Sequence, residues 1–279
     1  MITNKQNLPQ ALINFYNAKN KDREYVQNRF SVTELLMPTR EIQLTRLHAS
    51  EISEDSSDVV MSLLGTAVHK ILEENATDNA EVKFEVNIND CVIVGVSDLI
   101  TEDAIEDYKV SSVSKVMRKD FEEYRLQGLM YAYLNYVKTG EMKRKLKFHV
   151  LMRDWSKLKA NKVNDYPMSA LYLYQYEIQE SDYIYIEKYI KEKIKDIKQN
   201  RNAVCTDKEK WYTGDKYAVY KKAGSKKANA VLDTEQEAHD YITNQCDGAG
   251  EIEVRKGECL KCKYYCKVAK WCYGGKWWI

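Results

Sequence analysis

No run of eighteen apolar residues occurs in this chain, so no segment reads as a bilayer-spanning helix. The N-terminus also lacks the charged, apolar and small-residue layout of an export signal, and together these absences predict a cytoplasmic protein with no membrane partner. An excess of one charge is missing too. Against 43 basic residues stand 42 acidic ones, which excludes the globally cationic surface of a general nucleic-acid binder. Histidine occurs four times and phenylalanine five, whereas tyrosine occurs 21 times and tryptophan five. Rings with a polar handle serve a core and its rim as readily as they stack on bases, and no aromatic cluster is spaced like a known base-reading module. Neither an internal repeat nor a low-complexity segment is present.

The 279 residues are 44% apolar and 30% charged, a balance that suits one large domain or a domain with appendages. Residues 1–30 carry weak helical patterning. Ser31 then reads as an N-cap with Glu34 completing a capping box, Pro38 stops that short helix, and another begins near Thr39. Ser50 to Asp58 is acidic and polar and reads as a loop. A helical stripe follows through Leu63, Leu64, Ala67, Val68, Ile71 and Leu72. Strands are predicted over 82–88, 91–100 and 105–109, then a helix over 121–137, a strand pair over 146–151 and 169–176, and a long helix over 180–200. Helices before and after a central run of strands imply an α/β fold whose mixed sheet has helices packed on it. Between Lys138 and Lys162, nine basic residues face two acids, and "KRKLKFHVLMRDW" alternates as a strand with one basic face suited to a phosphate backbone. The last eighty residues differ: two short strands and a capped helix starting near Thr234 predict a small β-β-α unit, followed by a cysteine-rich tail.

The stretch "GVSDLITEDAIEDYKVSS" concentrates charge around a short turn. With Thr101 to Ala104 as the loop, Ile100 faces Ile105, and Asp98 falls opposite Asp107 on one face of an antiparallel pair. Lys109, two residues beyond Asp107, shares that face. Two carboxylates side by side repel unless a cation stabilises them, and a hard divalent ion, Mg²⁺ or Mn²⁺, does so with oxygen ligands. An adjacent ammonium suits orienting a water or neutralising developing phosphoryl charge. His69, on the preceding helix, would add a nitrogen to that shell, favouring Mn²⁺. Gln127 and Tyr131, four apart, share one helix face.

Cys259, Cys262, Cys266 and Cys272 lie within fourteen residues, a density that reads as metal coordination before disulfide formation. Two groupings are open: a closed zinc site within the tail, or Cys205 joined to Cys262, Cys266 and Cys272.

Together "LLGTAVHKILE", "IVGVSDLI", "IEDYKVSS" and "YRLQGLMYAYL" resemble the PD-(D/E)XK nuclease superfamily, on its RecB-like and Cas4-like exonuclease branch, including phage versions. The resemblance covers about 31–176. It implies a restriction-endonuclease-like mixed central sheet flanked by helices, divided as an N-terminal helical segment (1–30), a nuclease core (31–204) and a β-β-α and cysteine-rich metal-binding segment (205–279). It implies that His69, Asp98 and Asp107 bind the divalent metal with the Val110 carbonyl as a further ligand, and that Lys109 is the catalytic lysine. Gln127 and Tyr131 would contact DNA and support the site, and Glu85 would lie near its edge. "GECLKCKYYCKVAKWC" with "CTDKEKW" resembles the iron–sulfur staple of the same branch, which implies a [4Fe–4S] cluster on Cys205, Cys262, Cys266 and Cys272, with zinc, using Cys259, as the alternative. In that family the distant cysteine precedes the core, whereas Cys205 follows it. The implied activity is a Mg²⁺- or Mn²⁺-dependent DNA exonuclease of phage recombination, replication or processing, working in a host cytoplasm with a recombination or replication partner protein. Two readings of other classes stand beside it: an inactive nuclease-fold DNA-binding factor, and a metal-dependent phosphatase on small phosphoesters.

Overall fold

A computed structural model describes residues 2–20, 25–76, 79–222 and 224–275. The chain divides into two compact units, Met1–Ala203 and Val204–Ile279.

The first unit starts with β1 (Ile2–Thr3), α1 (Gln10–Asn20), β2 (Arg29–Ser31), α2 (Val32–Leu35) and α3 (Thr39–Leu47). Ser31 caps α2 by accepting from the Glu34 N–H. The reciprocal half of the expected capping box is absent because Arg46 holds both Glu34 oxygens, at 2.6 and 2.8 Å. The acidic stretch expected as a loop contains β3 (Glu54–Asp55), paired parallel with β1, and α4 (Ser56–Val59), capped by Asp55. Charge alone masked these two short elements.

The core follows with α5 (Ser62–Glu74), β4 (Ala80–Ile88), β5 (Cys91–Ile100), β6 (Ala104–Ser111), α6 (Val113–Met117), α7 (Glu122–Thr139), β7 (Lys145–Met152), α8 (Lys157–Ala160), β8 (Leu171–Glu177) and α9 (Glu180–Gln199). These strands form a central mixed sheet in the order β2-β5-β6-β7-β8, with β4 also on β5. Helices flank it. Gly128 lets α7 lie directly on β7, since a Cβ there would come 2.9 Å from both Leu146 and Phe148. Helix α9 then packs on α7 and α3, burying Ile186, Ile190 and Ile194. The apolar stripe of α5 behaves differently: no residue of α5 is fully buried, and Leu64 and Ile71 are exposed, because the helix leans on β6 by one edge.

β5 is the strand that organises the sheet. Cys91–Ser97 and Leu99 pair antiparallel with β4 along one edge. The opposite edge is shared: β2 pairs with Val92–Val94 and β6 with Leu99–Ile100, so between them no strand pairs with that edge among the described residues.

The expected basic groove is corrected by the β7 register. Lys147 and His149 alternate away from Phe148 and meet Glu106, at 2.9 and 2.8 Å, while Lys145 meets Asp103 at 3.0 Å. Asp107 neighbours Phe148 in the ladder, so the neutralised cations lie on the sheet face opposite Asp107.

The second unit contains α10 (Asp207–Lys210), β9 (Lys216–Tyr220), β10 (Ala230–Leu232), α11 (Glu235–Gln245), β11 (Glu251–Arg255) and α12 (Leu260–Tyr264). The expected β-β-α unit therefore gains a strand. β11 pairs antiparallel with β9, giving the order β10-β9-β11, and its alternation of Ile252 and Val254 with charged residues is the signal that sequence reading passed over. Val219, Ala238 and Cys246 form its small core, and the expected Thr234–Glu237 capping box starts α11. Asp215 ties the cysteine tail to this sheet: its carboxylate is hydrogen-bonded by Lys256, Tyr212 and the Gly257 N–H, Lys256 contributing most, which holds its pKa down to about 2. A carboxylate depressed from its ordinary value near 3.8 adds stability above that value and loses it as pH falls toward about 2. Hydrogen exchange at β9 is expected to accelerate across that window in the parent and to show no such step in Asp215→Asn.

Among the described residues no helix is long and apolar enough to cross a membrane.

Candidate active site

The β5–β6 hairpin holds the register expected from its loop, with Ile100 opposite Ile105 and Leu99 opposite Glu106. There the pairing stops. Asp98 and Asp107 do not form the next pair: Asp98 instead accepts the Tyr108 N–H on Oδ2 at 2.8 Å, so a side chain takes the place of a ladder bond. The cause lies in the backbone. The Val92 N–H points toward β2, reaching the Asn28 carbonyl, whereas the Ile100 N–H points toward β4, reaching the Asn79 carbonyl. Residues eight apart in a regular strand point the same way, so the alternation slips between them. Glu81, left out of the β4–β5 register between Ala80 and Val82, sits at φ +48°, a left-handed conformation that is uncommon for glutamate and marks the slip.

The slip brings Asp98 toward α5. His69 Nδ1 lies 3.2 Å from Asp98 Oδ2. The hydrogen bond to Asp98 raises the His69 pKa against the opposing effect of burial. On β6, Lys109 Nζ lies 2.5 Å from Asp107 Oδ2. Asp107 is only 3% exposed, and its Oδ2 has no well-aligned hydrogen-bond donor. Burial raises the Asp107 pKa; Lys109 opposes that rise and the Asp98 charge adds to it. The two acids therefore sense one another even though they are not ladder partners.

Behind them stands α7. Gln127 donates to the Tyr131 hydroxyl at 3.3 Å, and both side chains are buried. Burial pushes the Tyr131 phenol up to about 12. Tyr131 lines the cavity that His69 also lines, and Gln127 supports it from behind through this hydrogen bond. Tyr131 stacks near Phe84 and presses on Gly95, where a Cβ would come 2.7 Å from Tyr131 Cε1 and 3.0 Å from Val32 Cγ2. Gly95→Ala is expected to push the Tyr131 ring off this seat and cost about 1–3 kcal/mol, the range for overpacking a filled core. Urea denaturation with a check of the Tyr131 environment measures it.

Glu85 is held by Arg29 through both oxygens, at 2.7 and 3.0 Å, and is exposed. It lines an open cavity of about 990 Å³ together with His69, Gly95, Tyr131, Lys83 and Lys138. Val110 lies on β6, whose Ser111 carbonyl bonds the Arg153 N–H beyond β7. Strand alternation then aims the Val110 carbonyl at the edge that β5 has left.

Sequence reading passed over Tyr124. It lies one helical turn before Gln127, on the same face as Gln127 and Tyr131, a periodicity that could have identified it. Its ring lies 5.6 Å from Lys109 Nζ and 4.8 Å from Lys115 Nζ.

The donor set of two carboxylates, an imidazole and a backbone carbonyl suits a hard divalent cation, and the buried, poorly satisfied Asp107 oxygen is the observation that fits one. Yet among the described residues no three His, Cys, Asp or Glu side chains are grouped as a metal cage. The side chains stand in two ion pairs instead: His69 with Asp98, and Asp107 with Lys109, which is not one of the implied ligands.

In the second unit, burial pushes the Cys205 thiol up to about 12, with smaller contributions from Glu209 and from Cys272, Cys262 and Cys266. Burial likewise raises Cys262, helped by Cys259 and Cys272. The charges of the tail cysteines act on the Cys205 thiol, yet among the described residues no three of these thiols are grouped to hold a metal.

No family model matches the chain, and no curated protein matches it. Solved structures similar to it include the crystal structure of SSO0001, at 18% identity over 73% of this chain and 91% of that one, with a TM-score of 0.49. They also include an alkaline exonuclease, LHK-Exo, from Laribacter hongkongensis, at 11% identity over 62% of this chain and 89% of that one, TM-score 0.37. LHK-Exo in complex with dAMP is similar at 12% identity, with the same coverage and a TM-score of 0.38.

Proposed function

We propose that the first unit is a metal-dependent DNA nuclease with a restriction-endonuclease-like sheet, in the RecB-like and Cas4-like branch of the PD-(D/E)XK superfamily, acting as an exonuclease in phage DNA recombination, replication or processing. The observation that carries the reading is the buried Asp107 carboxylate, poorly satisfied and contacted by Lys109, beside an Asp98 that a break in strand alternation turns toward His69. Burying a carboxylate with an incomplete hydrogen-bond shell is costly, and such a site persists most readily where function requires it.

His69, Asp98, Asp107 and the Val110 carbonyl would hold the cation. When bound, a divalent metal supplies charge that activates a water and polarises a phosphoryl oxygen. The chain's own residues do the remainder. Asp98 bridges His69 and the β6 backbone, fixing the distance between helix and strand. Lys109, beside Asp107, would direct its ammonium toward the developing phosphoryl charge. Gln127 and Tyr131 keep the wall behind the acids closed to water.

Cys205, Cys262, Cys266 and Cys272 would hold a [4Fe–4S] cluster that staples the second unit, with zinc, using Cys259, as the alternative; the support is that all of them belong to one compact unit, where the tail thiols act electrostatically on Cys205. Iron, sulfide and zinc analysis of protein purified without oxygen distinguishes the two.

The test is Mn²⁺-dependent hydrolysis of end-labelled single- and double-stranded DNA, beside a small phosphomonoester. Release of nucleotides from DNA supports the reading. Turnover of the small phosphoester alone indicates a phosphatase. Binding of DNA without cleavage, under reducing and metal-replete conditions, removes the enzyme reading.

A further inference from the structure

A second cleft opens at the start of α7, away from the carboxylates. Its volume is about 430 Å³, and it is lined by Lys119, Phe121, Glu122, Arg125, Tyr172 and Tyr174. The apolar wall is made of rings. Phe121 stacks on Tyr174 at 4.4 Å between centroids and 16°, and on Tyr172 at 5.8 Å and 10°. The β8 strand supplies the two tyrosines at alternate positions, so both face α7 and neither is fully buried. Arg125 and Lys119 are exposed cations at the rim, with Arg125 lying 5.3 Å from the Tyr176 ring centroid.

We infer that this cleft takes an unpaired nucleotide of the substrate strand, its base against the partly exposed Tyr172 and Tyr174 rings, which the buried Phe121 backs, and its phosphate toward Lys119 and Arg125. The inference rests on the nuclease reading of the first unit and names the form of its substrate. Three observations support that occupant. Flat aromatic surface accepts any base through stacking and discriminates little among sequences. The two cations complement a phosphate, while Glu122 keeps an anion to the side of the cleft where they stand. Tyr124 also links the cleft wall to the candidate site by packing, its ring centroid 6.1 Å from that of Phe121 and 5.6 Å from Lys109 Nζ. A paired base cannot reach such a wall, so the cleft selects a frayed or single-stranded end.

Fluorescence anisotropy with the full chain in EDTA, where the metal-dependent reaction is silent, provides the test. The probes are a labelled oligothymidylate, the same strand carrying abasic positions, and a blunt duplex. Tyr172→Ala is expected to weaken the single strand about tenfold, the usual scale for one lost stacked base, and to leave the duplex unchanged. Abasic positions should cost the parent a similar factor and cost Tyr172→Ala little. Arg125→Gln, on the exposed rim where folding is safe, should lower the slope of log affinity against log salt by about one phosphate contact. Parent-like single-strand binding in both variants overturns the proposal, as does equal weakening of duplex and single strand. Absence of DNA cleavage by the parent would remove the nuclease reading and leave these binding differences standing; cleavage with unaltered binding would remove the cleft alone.

Discussion

Lys109→Ala is expected to slow DNA cleavage about a thousandfold, within the range measured for losing a positioned acid–base or charge-stabilising group. Single-turnover rates at saturating Mn²⁺ measure it, and a rate within threefold of the parent would refute the role given to this ammonium. The fold should survive, for a reason the site itself supplies. Stripping one partner from a buried ion pair costs about 3–5 kcal/mol when the remaining charge stays ionised. Asp107 has an alternative, because burial already raises its pKa and the loss of Lys109 removes the main opposing influence. It takes up a proton instead. A carboxyl whose pKa is raised on folding binds more protons folded than unfolded, so stability falls as pH rises through the gap between the two values. Lys109→Ala should therefore lose least stability at acid pH and more as pH rises above the ordinary carboxylate range, levelling off once Asp107 is ionised. Urea titrations at two pH values separate this from a general unfolding defect.

Phe148→Ala is expected to cost about 3–5 kcal/mol, the range for removing a buried large aromatic. Phe148 is among the largest fully buried side chains, and its effect extends beyond its own volume. Its ring stacks with Tyr124 at 5.6 Å and Tyr174 at 5.8 Å, and it meets the bare backbone of Gly128 on α7. It is also the ladder neighbour of Asp107. Deleting it leaves a void beneath both the tyrosine beside Lys109 and the wall of the second cleft. Thermal unfolding should shift down by several degrees. Phe148→Leu, which keeps most of the volume, should recover much of the loss.

The long periodic elements were legible because their signals are local. β5 runs Cys91–Ile100 and α9 runs Glu180–Gln199, within a residue of what periodicity and capping residues indicate. The hairpin register was legible too, because a four-residue turn fixes it. What escaped depends on partners distant in sequence. Asp98 was expected opposite Asp107, but the slip near Glu81 arises from β5 serving three strands, and no window of sequence encodes three neighbours at once. The basic strand looked like a groove because Glu106 and Asp103, which neutralise it, lie some forty residues away in sequence. Tyr124 was hidden differently: its spacing was visible, but its role emerges only where Lys109 and Lys115 converge on its ring. The choice between the two cysteine groupings stays open, because among the described residues no three of these thiols are gathered to hold a metal.

The unshared stretch of β5, bounded by β2 at one end and β6 at the other, has a consequence for how this protein tolerates change. β7, paired with β6 along one edge and β8 along the other, can drift in sequence and still be corrected from both sides. Here only β4 provides that correction, while Gly95 must stay small and Asp98 must stay polar. Mutational tolerance should therefore be lowest not at the centre of the core but along this short seam, where architecture and reactivity draw on the same few backbone atoms.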